Sequence, residues 1–345
     1  MQQLLNTLYV TVPDAYLRLD GDTLHVLVEH EKKLQVPLHH LGAIVCFGDV
    51  MITPSLIGRC AADGRSVVYL DRNGRFRARV EGPVSGNILL RQAQFKKEAE
   101  AGFALDVARA CVAGKLQNSR QLLMRAARDA KSEEDSAALR HATKLMARQI
   151  ERLPQALNLD EIRGLEGDGA RVYFGVLSNV IRQDKRDTFA MNGRSRRPPL
   201  DRINALLSFL YSMLMNDCRS ALEGVGLDPQ LGFLHAVRPG RAALALDLME
   251  EFRSAIADRL ALTLINREQI NGDDFDERVG GATYLNDAGR KKVITAYQAR
   301  KQEEISHPLL ETQIAIGLLP HIQARLLART LRGDMDGYLP FVSRG

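Results

Sequence analysis

Three side chains able to hold a hard or borderline divalent cation fall within sixteen residues of this 345-residue chain: His235, Asp247 and Glu250. His235 follows the turn signal Gly226-Leu-Asp-Pro229. A second turn, Arg238-Pro-Gly-Arg241, leads into an apolar run with helical spacing to about Ile265. On that helix Asp247 and Glu250 are three apart, so their carboxylates share a face. Arg238, Arg241 and Arg253 flank the group, and arginine beside a metal suits a phosphate-bearing substrate. The pattern also reads without chemistry. Asp247, Glu250, Glu251, Ser254 and Asp258 form one polar row of the kind an amphipathic helix turns to solvent. A third ligand from elsewhere decides for the metal.

Glu166 is the candidate third ligand. In RGLEGDGARVYFGVLSNVI it heads the helical row Ala170, Tyr173, Leu177 and Ile181, whose other members are all apolar or aromatic. That pattern turns Glu166 inward, and a buried carboxylate is costly unless a metal or a base meets it. Gly164, Gly167 and Gly169 crowd the same turns, as where another backbone or a ligand comes close. A buried salt bridge fits the row equally well.

The basic residues are concentrated. Net charge is +5, yet residues 1–82 carry nine Lys/Arg and nine Asp/Glu, so the excess lies beyond them. Arg182 to Arg197 holds six basic and two acidic residues. Arg194, Arg196 and Arg197 precede a double proline and a helix with Asp201 near its start. A basic loop beside a metal site can hold a phosphate backbone; by itself it reads equally as a solvated loop.

The elements that must position these groups fall into two sets, an α+β arrangement. Residues 1–82 read as a small β-rich domain. Its strands are Leu8–Val12, Ala15–Leu19, Leu24–Glu29, Ala43–Phe47, Ser66–Leu70 and Phe76–Val80. Thr53-Pro54 opens one helix, to about Ala62. No candidate catalytic group appears there, and Arg72, Arg75, Arg77 and Arg79 read as a solvated edge strand or as phosphate contacts. Glu81 to Gly86 reads as a linker. From 87 to 345 the pattern is all helical: about Asn87–Ala113, Ser119–Ala130, Ser136–Arg152, Asp160–Arg182, Arg202–Glu223, Ala242–Ile265, Asp287–Ile305 and Pro308–Leu331. Cys46, Cys60, Cys111 and Cys218 lie far apart without a C-x-x-C pair and read as free thiols of a cytoplasmic protein. No apolar run reaches membrane-spanning length.

Taken together, these stretches resemble the CRISPR-associated integrase family, the metal-dependent nuclease of the spacer-acquisition complex (Cas one). The resemblance rests on Glu166-Gly167 followed by Tyr173-Phe174, on RRPPLDRINALLSFLY (Arg196–Tyr211), on GLDPQLGFLH (Gly226–His235) and on LDLMEEFR (Leu246–Arg253). Lys115, Asn118 and Arg120 match the family's K-x-x-N-x-R. NREQI and the closing RTLRGDMDGYLPFVSR are most like members from type I-C systems.

The resemblance implies that Glu166, His235 and Glu250 ligate Mg²⁺ or Mn²⁺, with Asp247 in a supporting role. It implies a homodimer paired through residues 1–82, two such dimers flanking a dimer of a small partner (Cas two). The substrate would be double-stranded DNA: a captured prespacer whose 3′-OH attacks a phosphodiester of the CRISPR repeat. Arg194, Arg196, Arg197, Arg238, Arg241 and Arg253 are candidate backbone contacts. Two rivals remain open from sequence: a non-catalytic DNA-binding structural protein, and a metal-dependent hydrolase of a small phosphorylated substrate.

Overall fold

The computed structural model describes residues 7–82 and 88–343 and divides into two compact units, with the boundary between Gly86 and Asn87. Most of the expected linker lies outside the described residues.

The first unit holds two four-stranded sheets. Strands β1 (Thr7–Val10), β2 (Tyr16–Asp20), β3 (Thr23–Val28), β4 (Glu31–Pro37), β5 (Ala43–Phe47) and β6 (Met51–Ile52) precede helix α1 (Pro54–Ala62). Strands β7 (Ser66–Leu70) and β8 (Phe76–Val80) follow it. One sheet runs β1-β5-β7-β8, parallel except for β7–β8; the other runs β4-β3-β2-β6. Alternation sends Leu17, Leu24, Ile44, Cys46 and Val67 into one core with Leu56 and Cys60 of α1. The Thr53 side chain caps α1 by accepting from Leu56 N–H, with Pro54 at the first helical position. The arginine-rich β8 is an edge strand, as its charge predicts. β4 goes beyond the sequence expectation: EKKLQVP is almost wholly exposed, so it shows no apolar alternation.

The second unit is helical: α2 (Ile88–Ala99), α3 (Ala101–Asp129), α4 (Glu133–Arg152), α5 (Leu159–Gly175), α6 (Arg202–Val225), α7 (Ala243–Glu250), α8 (Arg259–Asn266), α9 (Asp287–Gln302) and α10 (Leu319–Arg332). The larger departures from expectation are these. The break falls at Glu100, not near Gly114, so Lys115, Asn118 and Arg120 sit inside the 29-residue α3. Helix α5 stops at Gly175, although Leu177 and Ile181 beyond it stay buried. The helix expected from Ala242 to Ile265 is interrupted by a wide π-turn over Arg253–Asp258. Finally, α10 begins eleven residues later than expected, because β11 (Glu304–Ser306) and β12 (Gln313–Ala315) pair first. A second such pair, β9 (Phe275–Glu277) and β10 (Thr283–Leu285), precedes α9. Strands of three residues are too short to show a period.

All four cysteines are free and buried. No described helix is long and apolar enough to cross a membrane.

Candidate metal centre

The expected solvated row does not face solvent. Asp247, Glu250, Glu251, Ser254 and Asp258 are each 3% exposed or less. The alternation that marks a helix as two-faced cannot say which face is inside when distant polar groups await it. Each carboxylate here has such partners.

Asp247 builds the loop that carries His235. Its Oδ2 accepts from the N–H groups of Phe233 (2.6 Å) and Leu234 (3.0 Å), and its Oδ1 from that of His235 (2.9 Å). Gly232 is required at the start of this wrap, since a Cβ there would lie 2.7 Å from Asp247 Oδ2 and from the Ala243 backbone. The loop is strapped from two further helices. The wholly buried Gln94 of α2 donates to the carbonyls of Asp228 and Leu231 and accepts from Asp228 N–H. Arg163 of α5 donates to the Leu234 carbonyl at 2.9 Å.

The same carboxylate sets the imidazole. His235 Nδ1 lies 2.7 Å from Asp247 Oδ1, and an ionised carboxylate only accepts, so Nδ1 carries the proton. Nε2 is left with its lone pair and stands 4.0 Å from Glu250 Oε1. A histidine whose other nitrogen is tied to a carboxylate is in the tautomer a metal takes.

Glu250 faces two cations. Burial by itself would raise its carboxyl, but Arg253 and Lys115 outweigh burial and hold it far below the usual range. Arg253 donates Nε–H to Glu250 Oε1 at 3.0 Å and lays its guanidinium over the Tyr211 ring, 4.5 Å from the centroid.

Glu166 completes the group. Its side chain is 28% exposed, and it reaches the Lys115 ammonium, which also lies 2.7 Å from Glu250 Oε2. The inward turn is therefore partial, and its base is a lysine. Gly169, one turn on, fits the packing: a Cβ there would collide with Leu116 Cδ2, so the side chain of the residue after Lys115 packs directly on the α5 backbone.

His235, Glu250 and Glu166 thus converge from three segments, and an ammonium stands between the two carboxylates. Among the described residues no three imidazole, carboxylate or thiol groups stand close enough to enclose an ion as they are. Two carboxylates and one oriented imidazole nonetheless make a donor set suited to Mg²⁺ or Mn²⁺.

The six arginines divide. Arg196, Arg197 and Arg238 are exposed and Arg241 is half-buried. Arg253 is committed to Glu250. Arg194 is also committed: it donates to Asn204 Oδ1 (2.6 Å) and Ser208 Oγ (3.4 Å) and lies against the Phe174 and Tyr211 rings. It anchors the loop that Asp201, the N-cap of α6, closes. Arg196 joins Lys115, Phe174, Tyr211 and Arg253 in lining one crevice.

Several contributors carry weak sequence signals. Asp258 accepts from the Tyr173 hydroxyl (2.9 Å) and the Tyr211 hydroxyl (2.6 Å), so the aromatics of two motifs meet on one carboxylate. Burial pushes Asp258 up to about 6 against the pull of those two hydroxyls. Glu251 receives the Tyr338 hydroxyl, Phe341 N–H (2.7 Å) and Gln323 Nε2 (3.1 Å). Asn118 of α3 donates to the carbonyls of Glu251 and Phe341 and accepts from Ser343 N–H, all at 2.8 Å. Residues 338–343 are thereby bound to the residue beside Glu250 and to the helix that bears Lys115.

The chain matches the family model "CRISPR associated protein Cas1" over residues 8–299. It is 55% identical over 344 residues, covering 100% of both chains, to "CRISPR-associated endonuclease Cas1 1" of Moorella thermoacetica. Among solved structures, it is similar to a chain of a "Cas6-RT-Cas1--Cas2 complex" (TM-score 0.84, 22% identity, 100% of this chain and 37% of that one). It is also similar to a "Casposase bound to integration product" (TM-score 0.82, 22% identity, 97% and 92%). These two show the shared fold. A family match from the first β-strand into α9, with full-length identity above one half to a curated member, means that this chain belongs to the CRISPR-associated Cas1 family.

Proposed function

We propose that this chain is a metal-dependent DNA endonuclease and integrase of CRISPR spacer acquisition. In this reading Glu166, His235 and Glu250 hold one Mg²⁺ or Mn²⁺. The observation that carries the reading is the Asp247–His235 pair, which frees Nε2 toward Glu250 while Glu166 closes from α5. Support also comes from the name of the 55% identical relative, an endonuclease, and from the fold shared with a casposase bound to its integration product.

The bound ion would polarise the scissile phosphodiester and stabilise the charge on its leaving oxygen. The chain's own part is placement. Asp247 fixes the imidazole, Arg253 keeps Glu250 ionised and in position, and α5 sets Glu166 opposite. Arg196, Arg197, Arg238 and Arg241 would grip the DNA backbone, which positions a duplex without reading its sequence. The attacking group would be the 3′-OH of a captured prespacer at the repeat, or water in strand cleavage, so no side-chain nucleophile is required. The protein would act as a homodimer joined through residues 1–82, together with a Cas2 dimer, in keeping with the complex named above.

Glu166→Ala and His235→Ala test the reading. Each should abolish strand transfer and cleavage while keeping wild-type helicity. Near-wild-type turnover by either variant in saturating Mn²⁺ would remove the three-ligand assignment.

A further inference from the structure

The Lys115 side chain is 12% exposed, and both of its ion pairs go to proposed ligands, Glu166 and Glu250. A lysine in the interior of a helical domain is costly unless its charge is met. Here it is met by two carboxylates from different helices that would otherwise repel one another. We propose that Lys115 is the resident cation of this site: its ammonium closes Glu166 onto Glu250 while no metal is bound, and it must give up that seat for a divalent ion to enter. The inference rests on the ligand set proposed above.

The geometry admits one cation between these carboxylates. Glu250 already has Arg253 on Oε1 at 3.0 Å, and its Oε2 faces Lys115 at 2.7 Å. His235 Nε2 looks toward the same carboxylate from 4.0 Å. With Lys115 and Arg253 both in place, the two carboxylate charges are already balanced. A divalent ion entering beside them meets two positive charges at short range, and departure of Lys115 removes one. Lys115 also lines a narrow crevice with Phe174, Arg196 and Tyr211. The protein therefore holds its two ligand helices together before metal arrives, and weakens its own metal affinity by doing so.

The test is Mn²⁺ binding to the full chain, read by calorimetry without DNA. Lys115→Met keeps the length of the side chain and removes its charge, and should bind Mn²⁺ about tenfold or more tightly than wild type. Lys115→Arg retains the charge and should stay within about twofold of wild type. A second readout needs no variant. Acetylation of Lys115 by acetic anhydride, with acetate as the leaving group, followed by mass spectrometry, should rise when Mn²⁺ is added to wild type. Unchanged or weaker binding by Lys115→Met overturns the proposal, as does Lys115 reactivity that Mn²⁺ leaves constant or lowers. His235→Ala separates the two levels. If it binds Mn²⁺ like wild type, the ligand set fails and the displacement fails with it. If His235→Ala loses binding while Lys115→Met gains none, the ligand set stands and only the displacement is overturned.

Discussion

Asp247 and His235 are joined twice: Asp247 Oδ1 accepts both the backbone N–H of His235 at 2.9 Å and the ring Nδ1–H at 2.7 Å. One carboxylate therefore fixes where the histidine sits and which ring nitrogen it presents. Support of this kind is more demanding than a carboxylate merely standing nearby.

Asp247→Asn should separate those two tasks from the chemistry. An amide has one oxygen for a site that needs acceptors at both positions, so either the loop N–H groups or the imidazole lose a partner. We expect Mn²⁺ affinity to fall about 10–100-fold and stability to drop by about 1–3 kcal/mol. Calorimetry and chemical denaturation check the pair. Wild-type values in both would mean the tautomer is set elsewhere.

The basic loop should divide under mutation as it does in the structure. Arg196→Ala with Arg197→Ala should reduce the slope of log affinity for DNA against log salt by about one for each phosphate no longer neutralised. Its thermal midpoint should not move, since both side chains are exposed. Arg194→Ala should instead lower the midpoint, because Asn204 and Ser208 lose their partner. An unchanged salt slope in the double variant would mark this loop as solvated surface only.

Asp258 gives the fold a pH dependence of known sign. Its carboxyl titrates near 6 in the folded chain against an unfolded value near 4, so the folded state holds its proton more tightly. Stability from this group is present below about pH 4, is lost as pH rises through about 6, and is flat above. Relative to Asp258→Asn, wild type should lose about 2–3 kcal/mol between pH 4 and pH 7. Denaturant midpoints at the two pH values test this, and a constant difference would mean an ordinary carboxyl.

Removing residues 1–82 should leave the ligand-bearing helices intact and yield a monomer. Every proposed ligand and its supporting partners belong to the second unit, while the first has a small core and gains from burying more surface. Sedimentation of a chain starting at Pro83 decides it. Dimerisation with unchanged affinity would place the interface in the helical unit.

The order of β-rich and helical parts was legible because strands and turns of residues 7–80 carry ordinary local signals, such as the Thr53-Pro54 helix start. Glu166 was singled out by its apolar row, and the structure turns it partly inward, onto the Lys115 ammonium. What could not be read was burial. Asp247 to Asp258 looks like a solvated face because its partners, Asn118, Tyr173, Tyr211, Gln323 and Tyr338, lie tens of residues away. Lys115 stood in a recognisable motif, yet nothing local to it tells that two carboxylates will share its charge. Arg194 and Arg197 are neighbours in one basic run, and only the fold distinguishes an anchor from an exposed side chain.

Residues 338–343 lie against Glu251 and Asn118, and they leave the ribosome after every segment they hold. A nascent chain can therefore gather the helices bearing Glu166 and Glu250 and the loop bearing His235 while the seam beside Glu250 is still open. Synthesis proceeds from the N-terminus, and this stretch closes the seam last. Until residues 338–343 follow, the Glu251 carboxylate lacks the Tyr338 hydroxyl and the Phe341 N–H that meet it in the folded chain.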